Sequence, residues 1–361
     1  MNEQDEITLA DRTAEGAGFL ICAINLLFFA IFMLAVFQVT TAISGEQPAA
    51  AIACTGENLV AKLADEDPGK LREATKQAEA LPNGKATLWQ VTRAGTPPSY
   101  LLGTMHSADP RIAKLEDAAR KAFDESGTVL IESTETLEAG DMAKTMMELR
   151  ELTLLMDGSL LEQSVADDRL EALQAAVEAR GMPWKIANHM QPWLVAAAIA
   201  APDCELNAKK SGLPVLDTLI GHEARAAGKT LIGLETVEEQ FAAIASVPRE
   251  FHINALNETL RLYHLLNDMH ETTKQLYLDG NMGMVLPLAR AYAPEVYRGR
   301  GHAEFQERVL VKRNHLMAER AAEHLDGGKV FMAVGALHLP GEDGLVELLR
   351  QRGFTVEPVS G

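Results

Sequence analysis

Two short words, Gly103-Thr104-Met105-His106 and Gly335-Ala336-Leu337-His338, stand far apart in the chain yet share one setting. Each follows an apolar run of strand character, Ser99-Tyr100-Leu101-Leu102 in one case and Val330-Phe331-Met332-Ala333-Val334 in the other. Each is followed by a proline, Pro110 or Pro340, and then a helix-like segment. A glycine at a strand end permits a sharp turn, and the histidine beyond it projects over the sheet edge. A single Gly-x-x-His is a weak signal. The matched pair brings two imidazoles to one edge of a sheet, which suits a metal or hydrolytic centre.

The remaining strands fall in the same pattern. Leu88-Trp89-Gln90-Val91 alternates as a first strand, and Gly95-Thr96-Pro97-Pro98 turns it into the strand ending at Gly103. Asp109 then reads as the cap of a helix starting at Pro110, with Ile112, Leu115, Ala119 and Phe123 as its apolar face and Gly127 as its stop. Thr128-Val129-Leu130-Ile131 runs into Glu132, Lys229-Thr230-Leu231-Ile232-Gly233-Leu234 into Glu235, and Phe354-Thr355-Val356 closes the sheet. The stretch from about 141 to 208 is helical and rich in Met and Leu, and helices return from Val237 to His324. These features predict an α/β fold: a central, mostly parallel sheet flanked by helices, with a large helical insertion at about 141–208 and a transmembrane helix at the N-terminus. Ligands of such sheets bind beyond the carboxyl ends of the strands, where His106, Glu132, Glu235 and His338 fall.

The N-terminal reading divides the chain into a leader (1–16), an anchor or signal sequence (17–43), a tether with a flanking helix (44–86) and the α/β domain (87–361). No residue between Glu15 and Glu46 is charged, and Phe19 to Val39 is almost wholly apolar, a length that spans a bilayer. Small residues at Ala42-Ile43-Ser44 and Ala51-Ile52-Ala53 keep cleavage to a soluble periplasmic form as the alternative. Arg12 precedes the span and no Lys or Arg follows until Lys62, which places the catalytic body outside the cytoplasm, in the periplasm. Cys54 and Cys204 are the two cysteines of the exported part and are expected to pair as a disulfide.

A net charge of −18 and the lack of a basic run exclude nucleic acid as a partner. Two histidines with one or two carboxylates satisfy Mn, Co or Zn and leave room for an activated water. His106, Glu132 and His338 are the expected metal ligands, with Glu235 as a further ligand or the general base. Arg313, within His302–His324, is expected to stabilise an oxyanion or clamp a substrate carboxylate, and its neighbour Asn314 to contact the substrate. Two plainer readings stay open: Glu235 as part of a helix's first turn, and Arg313 as an exposed helix arginine. His222-Glu223 and His270-Glu271 lack the second histidine of His-Glu-x-x-His, and there is no Gly-x-Ser-x-Gly, phosphate-binding loop or Cys-x-x-Cys. The other histidines (His189, His252, His264, His302, His315 and His324) read as packing or surface residues.

At these residues the chain resembles the TraB/GumN family, which includes the Tiki metalloproteases. The matching segments are Leu101 to His106 with Asp109-Pro110-Arg111, Ile131-Glu132-Ser133, Leu216-Asp217, Gly233 to Gln240, Arg313-Asn314 and Val334 to Gly344. They extend over about Leu88 to Pro358, and the last is the most specific. The stretch Cys54-Thr55-Gly56 with Leu59 is similar to the exported GumN-type branch, in keeping with the disulfide. The resemblance implies a fold related to erythromycin esterases and haem-binding ChaN proteins. It also implies metal-dependent hydrolysis through His106, Glu132 and His338, with a peptide as the lead substrate and a small molecule as the other; the inner membrane is the partner expected from the N-terminal span. The competing readings are a non-catalytic binder of metal, haem or peptide, and a metal-independent ester hydrolase.

Overall fold

A computed structural model of the chain describes residues 55–359 apart from 138 and 295–300. The expected membrane span at 17–43, its leader, the start of the tether and Cys54 lie outside the described residues. Among those described, no helix is long and apolar enough to cross a membrane. Cys204 is the one cysteine described, so its pairing with Cys54 stays an expectation.

Six strands form one sheet: β1 (Leu88–Thr92), β2 (Ser99–Thr104), β3 (Thr128–Ile131), β4 (Thr230–Gly233), β5 (Val330–Gly335) and β6 (Thr355–Pro358), in the order β4-β3-β5-β2-β1-β6. The β4-β3-β5-β2 part is parallel throughout. β1 is antiparallel to both neighbours, so the sheet is mixed. The short turn through Gly95 explains β1: a parallel crossover needs a dozen or more residues, and this connection has too few.

The helices used below are α1 (Leu59–Glu66), α2 (Pro68–Ala80), α3 (Asp117–Glu125), α4 (Asp167–Ala179), α5 (Pro192–Ala200), α6 (Asp203–Lys210), α7 (Leu216–Ala226), α8 (Val237–Ala245), α9 (Arg249–Arg261), α10 (Leu266–Leu278), α11 (Lys312–Leu325) and α12 (Leu345–Gln351). Alternation along the strands sorts the core into two faces. Leu101, Leu130, Met332 and Val334 pack on Met317, Ala318 and Ala321 of α11 and on Leu345, Val346 and Leu349 of α12. Leu102, Val129, Ile131, Phe331 and Ala333 pack on Phe123 of α3 and on Leu216, Ile220 and Ala224 of α7. Both faces are covered, which is why the parallel strands read as continuous apolar runs.

A third core joins α1, α2, α4, α5, α8 and α9 into a helical lobe. No described residue between Ile131 and Thr230 is in a strand. Every residue of α5 is buried, and its Trp193 meets Phe241 of α8 edge-on at 5.4 Å. The lobe sits over the carboxyl ends of the strands, since its core includes Ala336 and Leu337 of the second histidine word.

A polar seam ties the loop after His106 to this lobe. Ser107 Oγ and the Ala108 amide (2.9 Å) both donate to Glu205 on α6, whose Oε1 also lies 2.9 Å from His270 Nε2 on α10. Fully buried Lys274 reaches Asp109 Oδ2 at 2.7 Å and Glu271 Oε2 at 2.8 Å, and Arg111 spans the same two carboxylates. This corrects the expected helix at Pro110. The Asp109 carboxylate accepts from the Arg111 amide and turns across to Lys274 instead of capping, and helix α3 starts only at Asp117.

Candidate functional site

The two histidine words meet. β2 and β5 are parallel neighbours with Thr104 opposite Gly335, so the chain leaves both strands side by side. Neither glycine has the left-handed backbone that a sharp turn would require. Both serve close approach instead. A Cβ on Gly103 would lie 2.9 Å from Ala336 Cα, and one on Gly335 would lie 3.1 Å from Glu132 Oε1. Above them Tyr277 of α10 donates its hydroxyl to Gly103 O at 2.9 Å, so the lobe bonds the strand end directly.

His338 follows β5 in a single helical turn, Ala336–His338, and is buried. Its Nδ1 lies 2.6 Å from Asn314 Oδ1. Asn314 Nδ2 donates to Asp343 O at 2.8 Å, which aims the amide oxygen at the ring and so makes Nδ1 the protonated nitrogen. Nε2 then faces Glu132, 4.0 Å from Oε1. Burial and the Arg313 charge push the His338 imidazole down to about 4 against the pull of Glu132, so it is neutral at pH 7. His106 presents Nδ1 to Asp217 Oδ2 at 3.4 Å, and Thr104 donates its hydroxyl to Asp217 Oδ1 at 2.6 Å.

Glu132 stands just past the end of β3, beside the second word, since β3 flanks β5 on the side away from β2. Its Oε1 accepts from the Gly335 amide at 2.7 Å, and its Oε2 from Arg313 Nη2 at 3.1 Å and Gln240 Nε2 at 3.3 Å. Burial works against its charge, yet His338, once protonated at low pH, together with Arg313 and His106 holds the carboxyl down to about 2. Glu235 precedes α8, whose capping box is made by Thr236 with Glu239, so it is not part of the helix's first turn. Both Glu235 oxygens are taken by Arg313, with Nε at 3.0 and 3.1 Å and Nη2 at 2.7 Å. The Glu235 side chain is wholly buried.

Arg313 is therefore an internal cation, not an exposed helix residue. Burial opposes its charge, but Glu235 and Glu132 keep it firmly protonated. Just before it, Glu307–Val311 forms a π-helical turn, and Arg313 Nη1 returns to Val309 O at 3.4 Å. Such turns shift the helix register and often occur at functional sites. Asn314 is 1% exposed, with its amide oxygen at His338 and its amide nitrogen at Asp343 O.

The structure thus brings His106, Glu132, His338, Arg313, Asn314 and Glu235 to one edge of the sheet. Sequence reasoning gave no role to Asp217, Gln240, Thr104 or Tyr277, which join them there. Thr104 lies within the first histidine word, and Asp217 and Gln240 lie within segments that match the family, so only Tyr277 carried no sequence signal. Metal-ligating histidines characteristically give their second ring nitrogen to a protein oxygen; His338 bonds Asn314 in this way, and His106 turns Nδ1 toward Asp217 Oδ2 at 3.4 Å. In donor chemistry the set fits a divalent ion, although among the described residues no three His, Cys, Asp or Glu side chains form a ready-made cage.

Residues 87–358 match the model of the TraB/PrgY/gumN family. Among curated proteins the chain is similar to "Metalloprotease TIKI2" of Danio rerio, 27% identical over 79% of this chain and 64% of that protein. It is similar to "Metalloprotease TIKI1" of Danio rerio, 25% identical over 81% of this chain and 66% of that protein. "Uncharacterized protein YbaP" of Escherichia coli (strain K12) is 23% identical over 72% of this chain and 90% of its own length. The chain thus spans somewhat less than two thirds of the length of the two metalloproteases. No solved structure matches.

Proposed function

From the premise that the chain belongs to the TraB/PrgY/gumN family, as its residues 87–358 show, we propose that it is a metal-dependent hydrolase acting on peptides. The reading rests above all on the geometry of His338, a buried neutral imidazole whose Nδ1 is committed to Asn314 and whose Nε2 faces Glu132. In this reading His106, Glu132 and His338 hold a divalent ion, Mn, Co or Zn. An ion held by these residues would supply Lewis-acid chemistry, making a bound water more acidic and polarising a scissile carbonyl.

The chain's own residues supply the rest. Glu132 stays ionised at neutral pH, as a ligand must. Arg313 balances the Glu132 and Glu235 charges, and it and the Gly335 amide each hold one oxygen of the Glu132 carboxylate. Glu235 anchors Arg313, since a wholly buried carboxylate clasped at both oxygens is badly placed to take a proton from water. Asn314 orients His338 rather than a substrate. The sequence further supports a body tethered outside the cytoplasm by 17–43 and braced by a Cys54–Cys204 disulfide.

The full-length protein in detergent, loaded in turn with Mn, Co and Zn, tests this on a quenched-fluorescence peptide library. Cleavage abolished by chelation and by His106→Ala or Glu132→Gln supports the reading. Metal binding without cleavage of any peptide, or ester hydrolysis that survives chelation, overturns it.

A further inference from the structure

We infer that Asp217 is the positioning residue of the His106 half of the site: it fixes the imidazole with Nδ1–H toward its own Oδ2, so that a divalent ion is taken at Nε2. The inference rests on the metal-site reading above, and three features carry it.

Asp217 Oδ1 is pinned by the Thr104 hydroxyl at 2.6 Å. Thr104 is two residues before His106, at the end of the same strand, so the clamp and the histidine move as one unit. Oδ2 is buried and has no hydrogen-bond partner, and it faces His106 Nδ1 at 3.4 Å. A buried carboxylate oxygen left without a donor is costly, and the imidazole N–H is the donor placed to satisfy it. Lastly, Asp217 lies in the first turn of α7, whose Leu216, Ile220 and Ala224 are set in the core against β3 and β5. The carboxylate therefore sits on a rigid support.

The two histidines are held differently. His338 has a neutral amide behind it, and His106 has a carboxylate. A carboxylate behind the ring raises the basicity of the opposite nitrogen, which makes His106 the stronger donor of the pair.

The test uses full-length chain with 15N-labelled histidine, as wild type, Asp217→Ala, Asp217→Asn and Thr104→Val. Long-range proton–nitrogen spectra of the metal-free proteins read the His106 tautomer directly. We expect Nδ1–H in the wild type, a shift toward Nε2–H in Asp217→Ala, and the wild-type tautomer in Asp217→Asn, whose amide oxygen still accepts. Affinity for Zn, titrated alone, should fall about 10- to 100-fold in Asp217→Ala and less in Asp217→Asn and Thr104→Val. An unchanged tautomer in Asp217→Ala overturns the inference. So does an Asp217→Asn loss of Zn as large as that of His106→Ala, which would make Asp217 a ligand itself. Failure of the wild type to bind Zn would refute the metal-site reading, while the tautomer would still decide the role of Asp217.

Discussion

Arg313 clasps Glu235 through two nitrogens, Nε at 3.0 Å and Nη2 at 2.7 Å, and the same Nη2 reaches Glu132 at 3.1 Å. One guanidinium thus joins the ends of β3 and β4. Removing one member of a buried ion pair leaves the other charge uncompensated. Glu235→Ala should therefore destabilise the protein by about 3–5 kcal/mol, with Glu235→Gln milder. Urea unfolding followed by circular dichroism measures this. A loss under 1 kcal/mol in Glu235→Ala would mean that the clasp contributes nothing to the fold.

Gly103→Ala tests the contact between the two histidine words. The added methyl meets Ala336 Cα, which is backbone and has little freedom to move, so about 1–3 kcal/mol should be lost. Gly127→Ala is the matched control, since a Cβ there meets nothing within 4 Å. It should be neutral or slightly stabilising. Equal melting temperatures for the two variants would refute the close-approach account.

Lys274→Met probes the seam between loop and lobe. Against burial, Arg111 and Lys274 hold Asp109 well below the usual carboxylate range and Glu271 at about 2. A depressed carboxylate stabilises the fold above its unfolded pKa, and that contribution fades as pH falls toward the folded value. The variant should lose about 3 kcal/mol at pH 7 and distinctly less at pH 3. A loss independent of pH would show that Lys274 acts by packing alone.

His252 supplies a second pH dependence. It is buried, with Nε2 3.1 Å from Ile244 O, and burial pushes it down to about 4 from 6.5. Between those values the unfolded chain binds the extra proton, so stability falls as pH falls from 6.5 to 4. The full effect is about 3 kcal/mol. Urea midpoints of His252→Gln should vary less over that window than those of the wild type. Parallel curves for the two proteins would contradict the assignment.

Much of this was legible in the sequence because buried parallel strands write themselves as apolar runs. β3 spans the expected Thr128–Ile131, and β5 runs from Val330 to Gly335 as read. Features set by distant partners were not legible. The helix expected at Pro110 failed because Asp109 bonds Lys274, 165 residues away. The glycines of the two words were read as turn residues, because a sequence does not show Ala336 or Glu132 pressing on them. Asn314 is expected at the substrate and Glu235 as a ligand or base; the sequence does not show the tertiary hydrogen bonds that tie them to His338 and Arg313. Leu216-Asp217 stands out as a matching segment, but its role shows only when α7 packs on the sheet and Asp217 accepts the Thr104 hydroxyl.

The central claim is that His106, Glu132 and His338 hold a divalent metal ion. Its most direct test is the metal content of full-length protein, purified without chelators and dialysed against Mn, Co or Zn at pH 7, read by plasma mass spectrometry. About one tightly held ion per chain is expected in the wild type, and none in His106→Ala with His338→Ala. A wild type that retains none of the three metals, or a double variant that retains a full equivalent, would contradict it.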